Sequence, residues 1–257
     1  MKAMILAAGL GTRLRPLTDD RPKALVTVAG RTLLQIALDR LRSFGVREVI
    51  VNVHHYADMI CDYLAANRNF GMRIEVSREQ ALLDTGGGLK RAAPFFLDAG
   101  GNAQEPFILH NVDAISTIDL ARMMRFHIEH AALATLAVQD RESSRYLLFD
   151  QRGRLCGRRA ASAEAAKRCN KAREAPGPAS TPRALAFSGI HIVSPRIFAK
   201  MSEEGTFSII DAYMHLASHG ETIAAFRADE YYWRDLGRPE SISLAAQDLA
   251  SGVYSPT

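Results

Sequence analysis

Cysteine is scarce in this sequence: three residues in 257, Cys61, Cys156 and Cys169, an odd number with no Cys-x-x-Cys pair. That pattern excludes a disulfide framework and a zinc site built on paired thiolates. Long apolar runs are missing too. No stretch approaches the roughly 18 consecutive apolar residues that a bilayer span requires. The opening MKAMILAAG carries one lysine and meets a glycine where a secretory leader would extend its apolar stretch. A cytoplasmic, non-membrane protein is the expectation. No internal repeat is visible.

What is present suffices for a folded core. A chain of 257 residues, 47% of them hydrophobic, can bury one substantial core or one core plus a small lobe. A charged fraction of 23% is ordinary for a globular chain. The net charge of +4 is local in origin. Residues 151–183 hold nine Lys or Arg against Glu164 and Glu174, a balance of +7 that leaves −3 elsewhere. A nucleic-acid binder would need those charges in an ordered stripe. The stretch KRCNKAREAPGPASTPR has neither apolar periodicity nor many aromatics, so a solvated, mobile insert over about 158–183 is expected, with no nucleic-acid partner.

Strand and helix patterns alternate through the first half. Residues 2–7 (KAMILA), 46–53 (VREVIVNV), 72–76, 106–109 (PFIL) and 133–138 read as buried strands. Residues 32–44, 56–66, 88–94 and 118–130 read as helices, with Gly45 suited to the C-terminal end of the first. Strands joined by helical crossovers imply a mostly parallel sheet covered on both faces. Ligands then bind beyond the carboxyl ends of the strands. The second half reads as a mixed α+β lobe: a hairpin around Gln151-Arg152-Gly153, a long strand over 184–193, helices over 207–217 and 239–250, and a strand over 222–227.

Three polar clusters follow strands. The first is LAAGLGTRLRPLT, residues 6–18. Gly9 and Gly11 permit a tight turn whose N–H groups form an anion-binding nest. Thr12 adds a hydroxyl, Arg13 a planar cation suited to phosphate, and Lys23 a second cation. Neither the dinucleotide fingerprint nor the P-loop pattern fits these residues. The second cluster, EQALLDTGGGLK, places three glycines together, a poor choice for any regular element and a mark of close backbone approach. The third is a pair of aspartates, Asp113 in HNVDAIS and Asp235 in YYWRDLGRP. Magnesium takes hard oxygen ligands, commonly one or two carboxylates plus substrate phosphates. His54 and His55 point to opposite faces of a strand end and read as polar packing.

Gly-x-Gly-Thr-Arg-Leu followed by Pro22-Lys23, with Asp84-Thr85-Gly86-Gly87-Gly88 and Trp233-Arg234-Asp235-Leu236-Gly237, resembles the sugar-1-phosphate nucleotidyltransferases. Within that family the motifs are similar to those of the N-acetylmuramate-1-phosphate uridylyltransferases. The likeness runs from residue 3 to about 243 apart from the basic insert. It implies an α/β fold with a mostly parallel, Rossmann-like sheet, helices on both faces and a small mixed sugar-binding lobe. A single domain over 1–250 would divide into a nucleotide part, 1–140, and a sugar part, 141–250. It implies that Ala8, Gly9, Gly11, Thr12 and Arg13 surround the triphosphate, and that Arg13 and Lys23 are catalytic through charge. Glu79 and Gly86 would attend the base, and Asn111, Ser188, Gly189 and Asp211 the sugar. Asp113 and Asp235 would bind Mg2+. The implied substrates are a nucleoside triphosphate, UTP through the DTGGG segment, and a sugar 1-phosphate. One departure stands out: Val112 occupies the place where the family has glycine before the metal aspartate. A catalytically inactive nucleotide-sugar sensor on this fold and a CTP-dependent phosphocholine-type transferase are the competing readings. Tyr231, Tyr232 and Trp233 keep the latter open, as aromatic walls for a quaternary ammonium.

Overall fold

The computed structural model of the chain describes residues 1–97, 105–160 and 181–254. In chain order the first half comprises β1 (Lys2–Leu6), a short hairpin of β2 (Thr27–Val28) and β3 (Arg31–Thr32), α1 (Leu33–Ser43), β4 (Glu48–Val53), α2 (Ala57–Ala66) and β5 (Arg73–Arg78). It continues with α3 (Asp84–Arg91), α4 (Ala93–Phe96), β6 (Phe107–Asn111), β7 (Ala114–Ser116), α5 (Leu120–Glu129) and β8 (Ala134–Gln139). The second half adds β9 (Arg145–Phe149), β10 (Leu155–Ala160), β11 (Arg183–Val193), α6 (Ile209–Ser218), β12 (Ile223–Arg227), β13 (Trp233–Asp235) and α7 (Pro239–Ala250). Most of the basic insert, residues 161–180, lies outside the described residues.

Nine strands form one sheet in the order β10-β9-β11-β6-β1-β4-β5, with β8 paired to β11 and β12. The ladders β6-β1, β1-β4, β4-β5 and β8-β12 are parallel, as helical crossovers demand. Strand β11 enters antiparallel beside β6, which makes the second half continuous with the first. The expected α/β architecture is therefore the one present.

Period-two alternation divides the core. Ala3 and Ile5 of β1 and Val49, Val51 and Val53 of β4 face the layer of α1, α2, α5 and α7. Met4, Leu6 and Ile50 face the opposite layer of α3, α4 and α6. One sheet buried on both faces explains why these strands read as unbroken apolar runs. Helix α1 is anchored by Thr32, whose Oγ1 accepts the Gln35 N–H at 3.0 Å. Among the described residues no helix is long and apolar enough to cross a membrane.

The expected helix over 88–94 begins earlier. Residues 84–91 are helical, so the glycine triplet lies inside α3 rather than in a turn. Close packing forces this composition. A Cβ on Gly86 would overlap the Phe207 ring, one on Gly87 would overlap the Gly205 carbonyl, and one on Gly88 would sit 2.7 Å from Asn52 Nδ2.

Candidate active site

A cleft of about 320 Å³ opens where β1, β4 and β6 end, lined by Leu6 to Gly9, Lys23, Asn52, Leu82, Asp84, Thr85, Asn111 to Asp113 and Thr206. This is the carboxyl edge at which parallel sheets accept ligands. The glycine loop forms its near wall. Gly11 takes φ 67°, and its carbonyl accepts the Leu14 N–H at 2.9 Å and the Thr18 hydroxyl at 3.0 Å. A Cβ at Gly11 would lie 3.0 Å from Thr18 Cγ2 and 3.2 Å from Lys23 Cβ, so glycine is what lets Lys23 approach. At Gly9 a Cβ would meet nothing within 4 Å, which leaves that stretch of backbone open to a ligand.

Lys23 reaches across the loop to an ion pair with the Asp113 carboxylate, and both side chains are mostly buried. Asp113 lies between β6 and β7. Strand β7 pairs antiparallel with β13, with Asp235 opposite Ala114, and the Leu236 N–H donates to the Asp113 carbonyl at 2.8 Å. This small ladder brings the two sequence-distant aspartates to adjoining positions. Asp235 Oδ1 accepts the Gly237 N–H at 2.9 Å. A Cβ on Gly237 would stand 2.6 Å from that oxygen and 3.0 Å from Arg13 Nη2. Glycine at 237 thus admits the Arg13 guanidinium beside Asp235.

Two carboxylates flanked by two cations suit a hard divalent ion that also takes phosphate oxygens. Among the described residues no group of three or more His, Cys, Asp or Glu converges. Any such ion would therefore depend on substrate oxygens to complete its shell.

The sugar-side candidates divide. Strand β11 shifts register against β8 between Phe187 and His191. At this bulge Gly189 takes φ 74°, and a Cβ there would lie 2.9 Å from Asn111 Nδ2. Ser188, Gly189 and Asn111 are therefore neighbours. Asp211 is not among them: it pairs with Arg158 of β10 at 2.5 Å and is absent from the cleft lining. The base-side candidates pack around α3. Glu79 is buried, with Oε1 accepting from Asn52 Nδ2 at 2.7 Å and Oε2 accepting the Leu83 N–H at 3.0 Å. Gly86 faces Phe207 and donates its N–H to the Phe207 carbonyl at 2.9 Å. Both help to hold α3, and Leu82, Asp84 and Thr85 beside them line the cleft.

Asn52 was missed in the sequence. Its Oδ1 accepts the Ala7 N–H at 2.8 Å while its amide donates to Glu79, so it ties the glycine loop to α3. A lone asparagine inside the apolar run VIVNV was the available signal. Val112 is buried, with its N–H on the Leu6 carbonyl at 3.2 Å.

The family model described as Nucleotidyl transferase matches residues 2–252. The chain belongs to this nucleotidyl transferase family. It is 36% identical over 265 aligned residues to the N-acetylmuramate alpha-1-phosphate uridylyltransferase of Caulobacter vibrioides, covering 96% of both chains. A protein of that activity from Neisseria meningitidis serogroup B is 42% identical over 120 residues, 46% of this chain and 49% of that protein. Among solved structures of similar fold, HddC from Yersinia pseudotuberculosis in complex with GMP-PN superposes with a TM-score of 0.74 at 22% identity. The superposition covers 96% of this chain and 99% of that one.

Proposed function

We propose that this nucleotidyl transferase joins UTP to a sugar 1-phosphate and releases pyrophosphate, with Mg2+ held by Asp113 and Asp235. The observation that carries the reading is the β7-β13 ladder, which brings Asp235, beside Arg13, next to the stretch holding Asp113, the Lys23 partner in the glycine-loop cleft. The names of the relatives from Caulobacter and Neisseria support uridylyl transfer and an N-acetylated acid sugar as acceptor. A cytoplasmic setting follows from the need for UTP.

The acceptor's phosphate oxygen is anionic near neutral pH, so its attack requires no general base. It forms a new P–O bond at the α-phosphorus as the α–β bridging bond breaks, and the electron pair leaves with pyrophosphate. This chain's part is alignment and charge neutralisation. Ala8, Gly9, Gly11 and Thr12 contribute the backbone and hydroxyl donors around the triphosphate. Arg13 and Lys23 offset the repulsion between two anionic substrates and stabilise the departing charge. Bound Mg2+ would polarise the phosphoryl oxygens and supply further neutralisation there. Ser188 and Gly189 of residues 141–250, with Asn111 reaching them from the first half, serve the acceptor, while the rest of residues 1–140 serve the donor.

The test is a matrix of four nucleoside triphosphates against several sugar 1-phosphates, read by pyrophosphate formation with Mg2+. UTP with an amino-sugar 1-phosphate is expected to dominate. Asp113→Ala and Asp235→Ala are expected to abolish turnover with the circular dichroism spectrum unchanged. Pyrophosphate from no combination, or near-normal turnover by either variant, would overturn the reading.

A further inference from the structure

Arg141 follows shortly after β8 and takes no part in the donor site. Its guanidinium stacks on Trp233, with Cζ 3.7 Å from the ring centroid. Nη2 donates to the Phe187 carbonyl at 2.8 Å and Nη1 to the Glu142 carbonyl at 3.3 Å. Its Nε is buried without a partner. These neighbours are neutral carbonyls and an aromatic face, and none is a carboxylate. Burial pushes the guanidinium below its ordinary range against the opposing pull of the Asp235 charge. A desolvated cation normally sits beside an anion, because its burial is costly otherwise. Among the described residues no carboxylate forms that pair.

Placement says which ligand supplies the anion. Trp233 and Asp235 are two residues apart on β13 and so share one face of that strand. The Trp233 Nε1–H donates to the Ser188 carbonyl at 2.6 Å. Ser188 is fully buried and its Oγ has no partner, while adjoining Gly189 abuts Asn111 in the cleft lining. Arg141 thus stands beside the Phe187–Gly189 bulge of β11, against the β13 strand that carries Trp233 and Asp235. The triphosphate side already has Arg13 and Lys23.

We propose that Arg141 binds an oxyanion of the acceptor sugar, its phosphate or a carboxylate substituent, and so determines which acceptors are used. This rests on the nucleotidyl-transfer reading above. Planarity favours such a role, because an arginine stacked on an aromatic ring keeps its N–H fork pre-oriented for bidentate contact with an oxyanion.

The experiment is steady-state kinetics of the wild type, Arg141→Met and Arg141→Lys, with each substrate varied in turn. N-acetylglucosamine 1-phosphate and N-acetylmuramic acid 1-phosphate serve as acceptors without and with a carboxylate. Arg141→Met keeps the side-chain volume, and Arg141→Lys keeps the charge should the first variant fold poorly. The KM for acceptor is expected to rise by about tenfold to 100-fold in Arg141→Met, in line with one lost charged hydrogen-bonding group. The KM for nucleotide should stay unchanged, with partial recovery in Arg141→Lys. Equal losses on both acceptors identify the phosphate as the bound group. Loss confined to the acid sugar identifies the carboxylate. An acceptor KM unchanged in both variants, or nucleotide and acceptor KM rising together, overturns the assignment while leaving the wild-type activity standing. A wild type inert with every substrate pair overturns both this assignment and the reading beneath it.

Discussion

Lys23 and Asp113 hold each other in a largely desolvated ion pair at the floor of the cleft. Removing one partner strands the other's charge, which is costly in proportion to burial. Lys23→Ala is expected to lower stability by about 1–3 kcal/mol, the buried-pair figure reduced for the exposure that remains. The lysine stands next to the carboxylate that a metal ion would use. Mg2+ should therefore raise the melting temperature of the variant more than that of the wild type, as scanning calorimetry would read. An equal rise in both would mean that ammonium and metal do not compete for Asp113. Gly237 invites a complementary change. A Cβ there would press on Asp235 Oδ1 at 2.6 Å and Arg13 Nη2 at 3.0 Å. Gly237→Ala is expected to cut kcat by about 100-fold, the scale of a catalytic group misplaced by an ångström, with little change in denaturant midpoint. A kcat within about twofold of wild type would show that Arg13 need not stand beside Asp235.

Helix α3 reverses the usual sign of a helical glycine substitution. In an exposed helix, alanine in place of glycine stabilises by up to about 1 kcal/mol. At Gly87 the added methyl would overlap the Gly205 carbonyl, which belongs to the backbone of another segment. Gly87→Ala is expected to destabilise by about 1–3 kcal/mol, the cost of overpacking, measured as a lower urea midpoint. A higher midpoint would show that the 205–207 segment simply yields. The same helix marks where legibility from sequence ends. Three glycines signalled close approach, and close approach is what they provide. The element type was hidden because glycine's poor helix propensity is overridden by tertiary contacts. Strands β1, β4 and helix α1 were legible because their apolar patterns extend over five residues or more. Strands β7 and β13 have three residues each, too few for any period to show. The convergence of Asp113 and Asp235 was therefore invisible to spacing and came only from the motif likeness. Glu79 and Asp211 show what spacing does not reveal: each carboxylate also has a protein partner, Asn52 and the Leu83 N–H for one and Arg158 for the other. Arg141 gave no signal, since its meaning lies in an aromatic ring far along the chain.

Across the whole molecule, two buried histidines tie the sheet to its helices. His127 of α5 shares a 2.9 Å hydrogen bond with Thr135 Oγ1, and His191 of β11 shares one of 2.9 Å with Tyr213 Oη. Burial pushes His127 down to about 4 and His191 to about 3, from 6.5. The folded state resists protons that the unfolded chain accepts below about pH 6.5. Stability is thus fully present above that value and declines as the pH falls toward 4. The slope is about 1.4 kcal/mol per pH unit for each histidine. Denaturant midpoints are expected to drop between about pH 7 and pH 5, with a shallower drop in His127→Gln. An identical drop in the variant would assign the dependence elsewhere.

The β7-β13 ladder also imposes an order in time. Residues 233–235 come after every strand of the main sheet, so an emerging polypeptide has its phosphate loop and Lys23 long before the second aspartate arrives. The juxtaposition of Asp113 and Asp235 therefore waits until the last strand has paired with β7.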